Sequence, residues 1–126
     1  MNTPPAGFPR PPFEAETYTD GLVTIVRVRG DVDLATAEEF DTALDSGLQA
    51  SGPALVVDMS AVDFLGSSGI ASLVLLRRRA ARENTSVAIA SGNRHVVRIL
   101  DLLGLSEELT VHGDVASAVH AVTPAG

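Results

Sequence analysis

The sequence predicts an α/β domain, a mixed sheet of four to five strands packed with about four helices. Three observations carry this. Short β-branched runs alternate along the chain with stretches of helical period. An Asp20-Gly21 pair joins the first two extended runs as a hairpin. The run Ala54–Met59 is apolar at every position except Asp58, as expected for a central strand buried on both faces.

The elements follow in order. Residues 1–12 hold Pro4, Pro5, Pro9, Pro11 and Pro12, too many missing donors for sheet or helix, so a disordered tail is expected there. Polar and apolar residues roughly alternate over 13–18, and Leu22–Arg29 is the clearest strand of the chain. Thr36 with Glu39 has capping-box spacing and opens a helix to about Gln49, with Phe40, Ala43, Leu44 and Leu48 as its apolar stripe. Ser51-Gly52-Pro53 ends it before the Ala54–Met59 strand.

The next helix carries Ile70, Leu73, Val74 and Leu76 at helical spacing, runs to Arg82 and meets a stop at Asn84. Ser67 and Ser68 are placed at its N-cap, where unpaired backbone N–H groups and about half a positive charge face outward. Serine is among the commonest caps, so closing the helix is one role for the doublet. Gly69 supports another, because a residue without a side chain lets a partner approach the hydroxyls. A strand at 86–90 follows, then a helix over 94–103 ended by Gly104 with Leu105 behind it. Leu109–Val111 is expected as a last strand, and Asp114 as the cap of a final helix to about Ala121. Strand–helix–strand succession of this kind implies parallel pairs beside the antiparallel hairpin.

Composition narrows the function classes. The 126 residues suffice for one compact domain and a tail. Sixteen acidic residues against nine arginines and no lysine give a formal charge of −7, which disfavours direct nucleic-acid binding. No cysteine is present, excluding disulfides and thiolate metal sites. No apolar run approaches the ~20 residues that span a bilayer, and a cytoplasmic location is expected. His95, His112 and His120 lie on separate elements without metal-ligand spacing, and no cofactor motif occurs, so neither metal nor cofactor is expected. Gly66-Ser67-Ser68-Gly69 lacks the spacing of a hydrolase nucleophile elbow, so no catalytic residue is assigned. Arg77, Arg78, Arg79 and Arg82 complement the negative end of their helix.

Asp58-x-Ser60-x-Val62-x-Phe64-Leu65-Gly66-Ser67-Ser68-Gly69-Ile70 resembles the signature of the STAS-domain anti-sigma-factor antagonists. Gly30, Asp33, Thr36 and Ala37, with Asp31 in place of Glu, resemble that family's G-E-L-D-x-x-T-A stretch. The resemblance covers about residues 14–121 and sets a domain over 13–123. It implies a protein that binds a serine-kinase anti-sigma factor when unphosphorylated and is released by phosphorylation, with Ser67 as phosphoacceptor. It implies a partner surface of Asp33, Thr36, Gly66, Ser68, Gly69 and Ile70, on a protein expected to be monomeric. Gly66 stands where the family usually has Asp. A STAS scaffold or stress-signalling adaptor that does not switch is the alternative. Asp33 serves equally well as a turn residue.

Overall fold

The computed structural model describes residues 12–106 and 109–124; the expected tail lies outside them except for Pro12. Strands β1 (Glu14–Asp20) and β2 (Val23–Arg29) form an antiparallel hairpin. Its last pair is Asp20 with Val23, so Gly21, at a φ of 61°, and Leu22 form the turn. Leu22, expected to begin the strand, is therefore exposed on the turn.

Helix α1 (Ala37–Ala50) leads to β3 (Ala54–Ala61), and α2 (Ser67–Arg82) leads to β4 (Ser86–Ala90). Helix α3 (Arg94–Leu102), the short β5 (Val111–His112) and α4 (Val115–Val122) complete the described chain. The sheet order is β1-β2-β3-β4-β5, with the pairs from β2 to β5 parallel. The mixed α/β architecture expected from the sequence is thus present.

The βαβ rule explains the layering. Because the parallel strands are added in one direction and each crossover turns in one sense, the connecting helices fall on one face. Phe40 and Leu44 of α1, Leu73 and Leu76 of α2, and Val96 and Leu100 of α3 all pack there, on Val26, Val28, Val57, Met59 and Ile89. Ala118 of α4 covers the opposite face, over Ile25, Val56 and Ala88. Ala54–Met59 is buried throughout, which makes β3 the two-sided centre the sequence indicates.

Helix ends follow the expected chemistry except at the starts of α1 and α2. Asn84, at a φ of 56°, ends α2, with the Thr85 N–H donating to the Ala80 carbonyl at 2.9 Å. Gly104 ends α3 likewise, with the Leu105 N–H donating to the Leu100 carbonyl at 2.9 Å. Asp114 caps α4, its carboxylate accepting from the Ser117 N–H at 2.7 Å.

Thr36 precedes α1, but the capping box with Glu39 does not form. The Thr36 backbone is already near-helical, and its hydroxyl instead donates to the Asp31 carbonyl at 2.8 Å. The last strand is Val111–His112 rather than Leu109–Val111. Leu109 is fully buried in the main core, and its N–H donates to the Leu105 carbonyl at 2.8 Å, which ties it into a turn. Strand β3 runs two residues past Met59 because a bulge in its pairing with β2 brings Arg29 opposite Ala61.

Candidate functional site

The loops β2–α1, β3–α2 and β4–α3 all lie beyond the carboxyl ends of the parallel strands, the edge where open α/β sheets bind ligands. They are stitched to one another. The Gly30 N–H donates to the Ala61 carbonyl at 3.2 Å. The Val32 N–H donates to the Phe64 carbonyl and the Gly66 N–H to the Val32 carbonyl, both at 2.8 Å, which forms a parallel bridge between Val32 and Leu65. From α3, the Asn93 amide donates to the Val62 and Asp63 carbonyls at 3.4 and 3.5 Å. Its other end accepts from the His95 N–H at 2.8 Å, capping α3.

Gly66, not a serine, is the N-cap of α2. Its backbone is extended while that of Ser67 is already helical, so the doublet occupies the first two helical positions. This corrects the expected cap: neither hydroxyl is used to close the helix, and Gly66 has no side chain with which to do so. Ser67 is exposed, Ser68 half-buried. The Ser68 carbonyl accepts from the Ser72 hydroxyl at 3.0 Å, and the Ile70 N–H donates to the Gly66 carbonyl at 3.1 Å. No acidic residue lies in the first turn of α2. The N–H groups of that turn and the positive helix pole therefore sit beside the Ser67 hydroxyl without a compensating carboxylate of their own helix.

Gly69 is buried, and the reason is internal. A Cβ there would stand 2.5 Å from Val32 Cγ1 and 2.6 Å from Leu65 Cδ1. The missing side chain makes room for the two bridging residues, whereas the sequence suggested room for a partner. Asp33 and Thr36 brace their own loop. One Asp33 carboxylate oxygen accepts from the N–H groups of Ala35 at 2.9 Å and Thr36 at 3.1 Å, while the Asp33 N–H donates to the Thr36 hydroxyl at 3.0 Å. Asp58, buried in the second half of β3, accepts from the Ser60 N–H at 3.0 Å.

The structure thus brings Asp33, Thr36, Gly66, Ser67, Ser68, Gly69 and Ile70 onto two clamped loops and one helix start. Sequence reasoning missed Val32 and Leu65, the buried clamp, and Asn93, the brace from α3. Apolar residues interrupting polar loops were the available signal for the first two. Elsewhere on α2, Arg79 pairs with Asp45 of α1, so this one arginine of the cluster also ties the two helices together. Among the described residues no three His, Asp or Glu side chains could hold a metal ion, and no helix is long and apolar enough to cross a membrane.

Fold and site together define a small mixed-sheet α/β domain with an exposed serine at the start of the helix that follows its central strand. The STAS domain family model matches residues 14–118, and the chain belongs to that family. The anti-sigma-F factor antagonist RsfA of Mycobacterium tuberculosis is 32% identical over 100 residues, covering 77% of each chain. A crystal structure of an anti-sigma factor antagonist from Mycobacterium paratuberculosis is 28% identical and superposes with a TM-score of 0.81, over 88% of this chain and 94% of that one. At the level of fold alone, SpoIIAA superposes in its unphosphorylated form with a TM-score of 0.70 at 13% identity, over 91% of this chain and 100% of that one. Its phosphorylated form from Bacillus gives 0.65 at 14%, over 89% and 100%.

Proposed function

We propose that this protein is an anti-sigma factor antagonist. Unphosphorylated, it binds a serine-kinase anti-sigma factor in the cytoplasm and frees a sigma factor; phosphorylated on Ser67, it lets the partner go. The observation that carries this reading is the exposed Ser67 hydroxyl at the first position of α2, behind an N-cap that has no side chain. The named activity of the relatives, anti-sigma-F factor antagonist, supports it.

The energetics favour a switch of surface rather than of fold. A phosphate brings about −1.5 to −2 charges and three acceptor oxygens. At a helix N-terminus an anion is favoured by roughly 0.3–1 kcal/mol. The domain therefore tolerates the modification. The partner does not, because its contact must desolvate a dianion without a matching charge. A loss of only ~2.7 kcal/mol weakens binding about a hundredfold. That both forms of SpoIIAA superpose on this fold agrees with a switch that leaves the architecture in place.

The test is incubation with the host's serine-kinase anti-sigma factors and ATP, followed by peptide mass spectrometry. Phosphate on Ser67 is expected; phosphate on Ser68 alone refutes the assignment. Gly66, where the family usually has Asp, favours a second reading, a STAS scaffold or stress-signalling adaptor that does not switch. Stable binding to a kinase without phosphate transfer is its signature.

A further inference from the structure

Two large apolar side chains stand in solvent on the two clamped loops. Leu34 is 86% exposed and Phe64 52% exposed. Single exposed apolar residues are ordinary on a protein surface. These two differ in their setting. Neither belongs to a helix or strand whose period would place it outward by default, and each lies within two residues of the Val32–Leu65 bridge. The hydrogen bonds of that bridge and the Asn93 brace hold the loops before any partner arrives, which lowers the ordering cost of binding.

Phe64 is also tied to the helix start. A Cβ on Gly66 would stand 3.2 Å from Phe64 Cε2 and 3.6 Å from Cζ, so the ring lies against the N-cap backbone, one residue from Ser67. A side chain at Gly66 would require the ring to give by a few tenths of an ångström. The absence of a side chain at the N-cap is, in this chain, the seat of an aromatic ring.

We infer that Leu34 and Phe64 are the apolar anchors of the contact with the anti-sigma factor, filling an apolar pocket on that partner whose edge carries Lys or Arg. The basic edge follows from charge: Asp63 is exposed and Asp31 half-exposed on the same loops of a chain with a formal charge of −7. The phosphate on Ser67 then falls inside the apolar contact beside the Phe64 ring rather than on its charged edge, where a dianion loses most by desolvation. This inference rests on the proposed function and adds to it the residues that grip.

The experiment measures affinity of the full chain for each purified anti-sigma factor of the host by calorimetry. Phe64→Ala and Leu34→Ala are each expected to weaken binding at least tenfold, as buried interface anchors do. Leu102→Ala, at a position 72% exposed at the far end of α3, is expected to leave the affinity unchanged. Leu34→Glu keeps the test valid if Phe64→Ala lowers the melting temperature, because Leu34 has almost no packing to lose. Wild-type affinity in both loop variants, alongside lost binding by Ser67→Glu, overturns the anchors while the switch survives. An equal loss by Leu102→Ala overturns the localisation. A wild-type dimer in sedimentation that Leu34→Glu dissociates assigns the patch to a second copy and overturns the inference. Failure of the wild type to bind any anti-sigma factor sinks both this inference and the proposed function.

Discussion

Replacing Gly69 with alanine tests whether the site is held together from within. Two effects oppose. Alanine in place of glycine inside a helix is worth up to about 1 kcal/mol by propensity. Against this, the new Cβ would sit 2.5 Å from Val32 Cγ1 and 2.6 Å from Leu65 Cδ1. Carbon atoms rest at about 3.5–4.0 Å, so both contacts are short by roughly an ångström. Val32 is β-branched and stiff, and both residues are buried, so relief requires the bridge to open. Overpacking of this kind costs about 1–3 kcal/mol. The steric term wins, leaving a net loss of about 1 kcal/mol and a melting temperature lower by about 3–6 °C for a domain of this size. Thermal unfolding by circular dichroism reads it, with Gly52→Ala, which meets nothing within 4 Å, as the control. Partner affinity falls too, because the loops move. A Gly69→Ala protein that melts higher than wild type refutes the internal clamp.

Three further outcomes follow from the same geometry. Gly47→Ala, whose Cβ would meet Val26 Cγ2 at 2.2 Å where α1 crosses β2, lowers the melting temperature more than Gly69→Ala; an unchanged melt contradicts the close helix–sheet approach. Asp33→Ala weakens partner binding about tenfold by releasing two N–H bonds of its loop, whereas Asp33→Asn, which keeps an acceptor oxygen, binds nearly as wild type. Equal losses would instead make Asp33 a charge contact. Asp114 titrates below the ordinary aspartate value, held there by the Ser117 backbone N–H and then by its hydroxyl. Since the folded state favours the carboxylate, the cap's contribution is present above the ordinary value and is lost as pH falls through the depressed one. Carbon-detected NMR titration places that midpoint below the aspartate norm, and Asp114→Asn removes the pH dependence of α4.

The fold was legible wherever local chemistry agreed with the global arrangement. Asp20-Gly21, Asn84, Gly104 and Asp114 each announce a turn or a helix end, and Ala54–Met59 could only be a two-sided strand. The misreadings arose where a side chain had a second use. Thr36 has the spacing of a capping residue, but its hydroxyl is taken by the Asp31 carbonyl five residues back. Leu109 looks like strand and is spent as a core plug. At the site, the sequence located Ser67 at a helix start but placed the cap one or two residues late, because serine is a better cap than glycine by side-chain chemistry alone. In the sequence Gly69 offers open space for a partner, since only the folded chain brings Val32 from another loop into that space. Long-range contact of this sort leaves no local mark.

The central claim is that charge on Ser67 changes what the protein holds without changing its shape. Its most direct measurement is the affinity of Ser67→Ala and Ser67→Glu for the host's anti-sigma factors, taken with their circular dichroism spectra. Ser67→Ala is predicted to bind as the wild type and Ser67→Glu about a hundredfold more weakly, with superimposable spectra. Equal affinities, or a Ser67→Glu protein that has lost its helical signal, would contradict it.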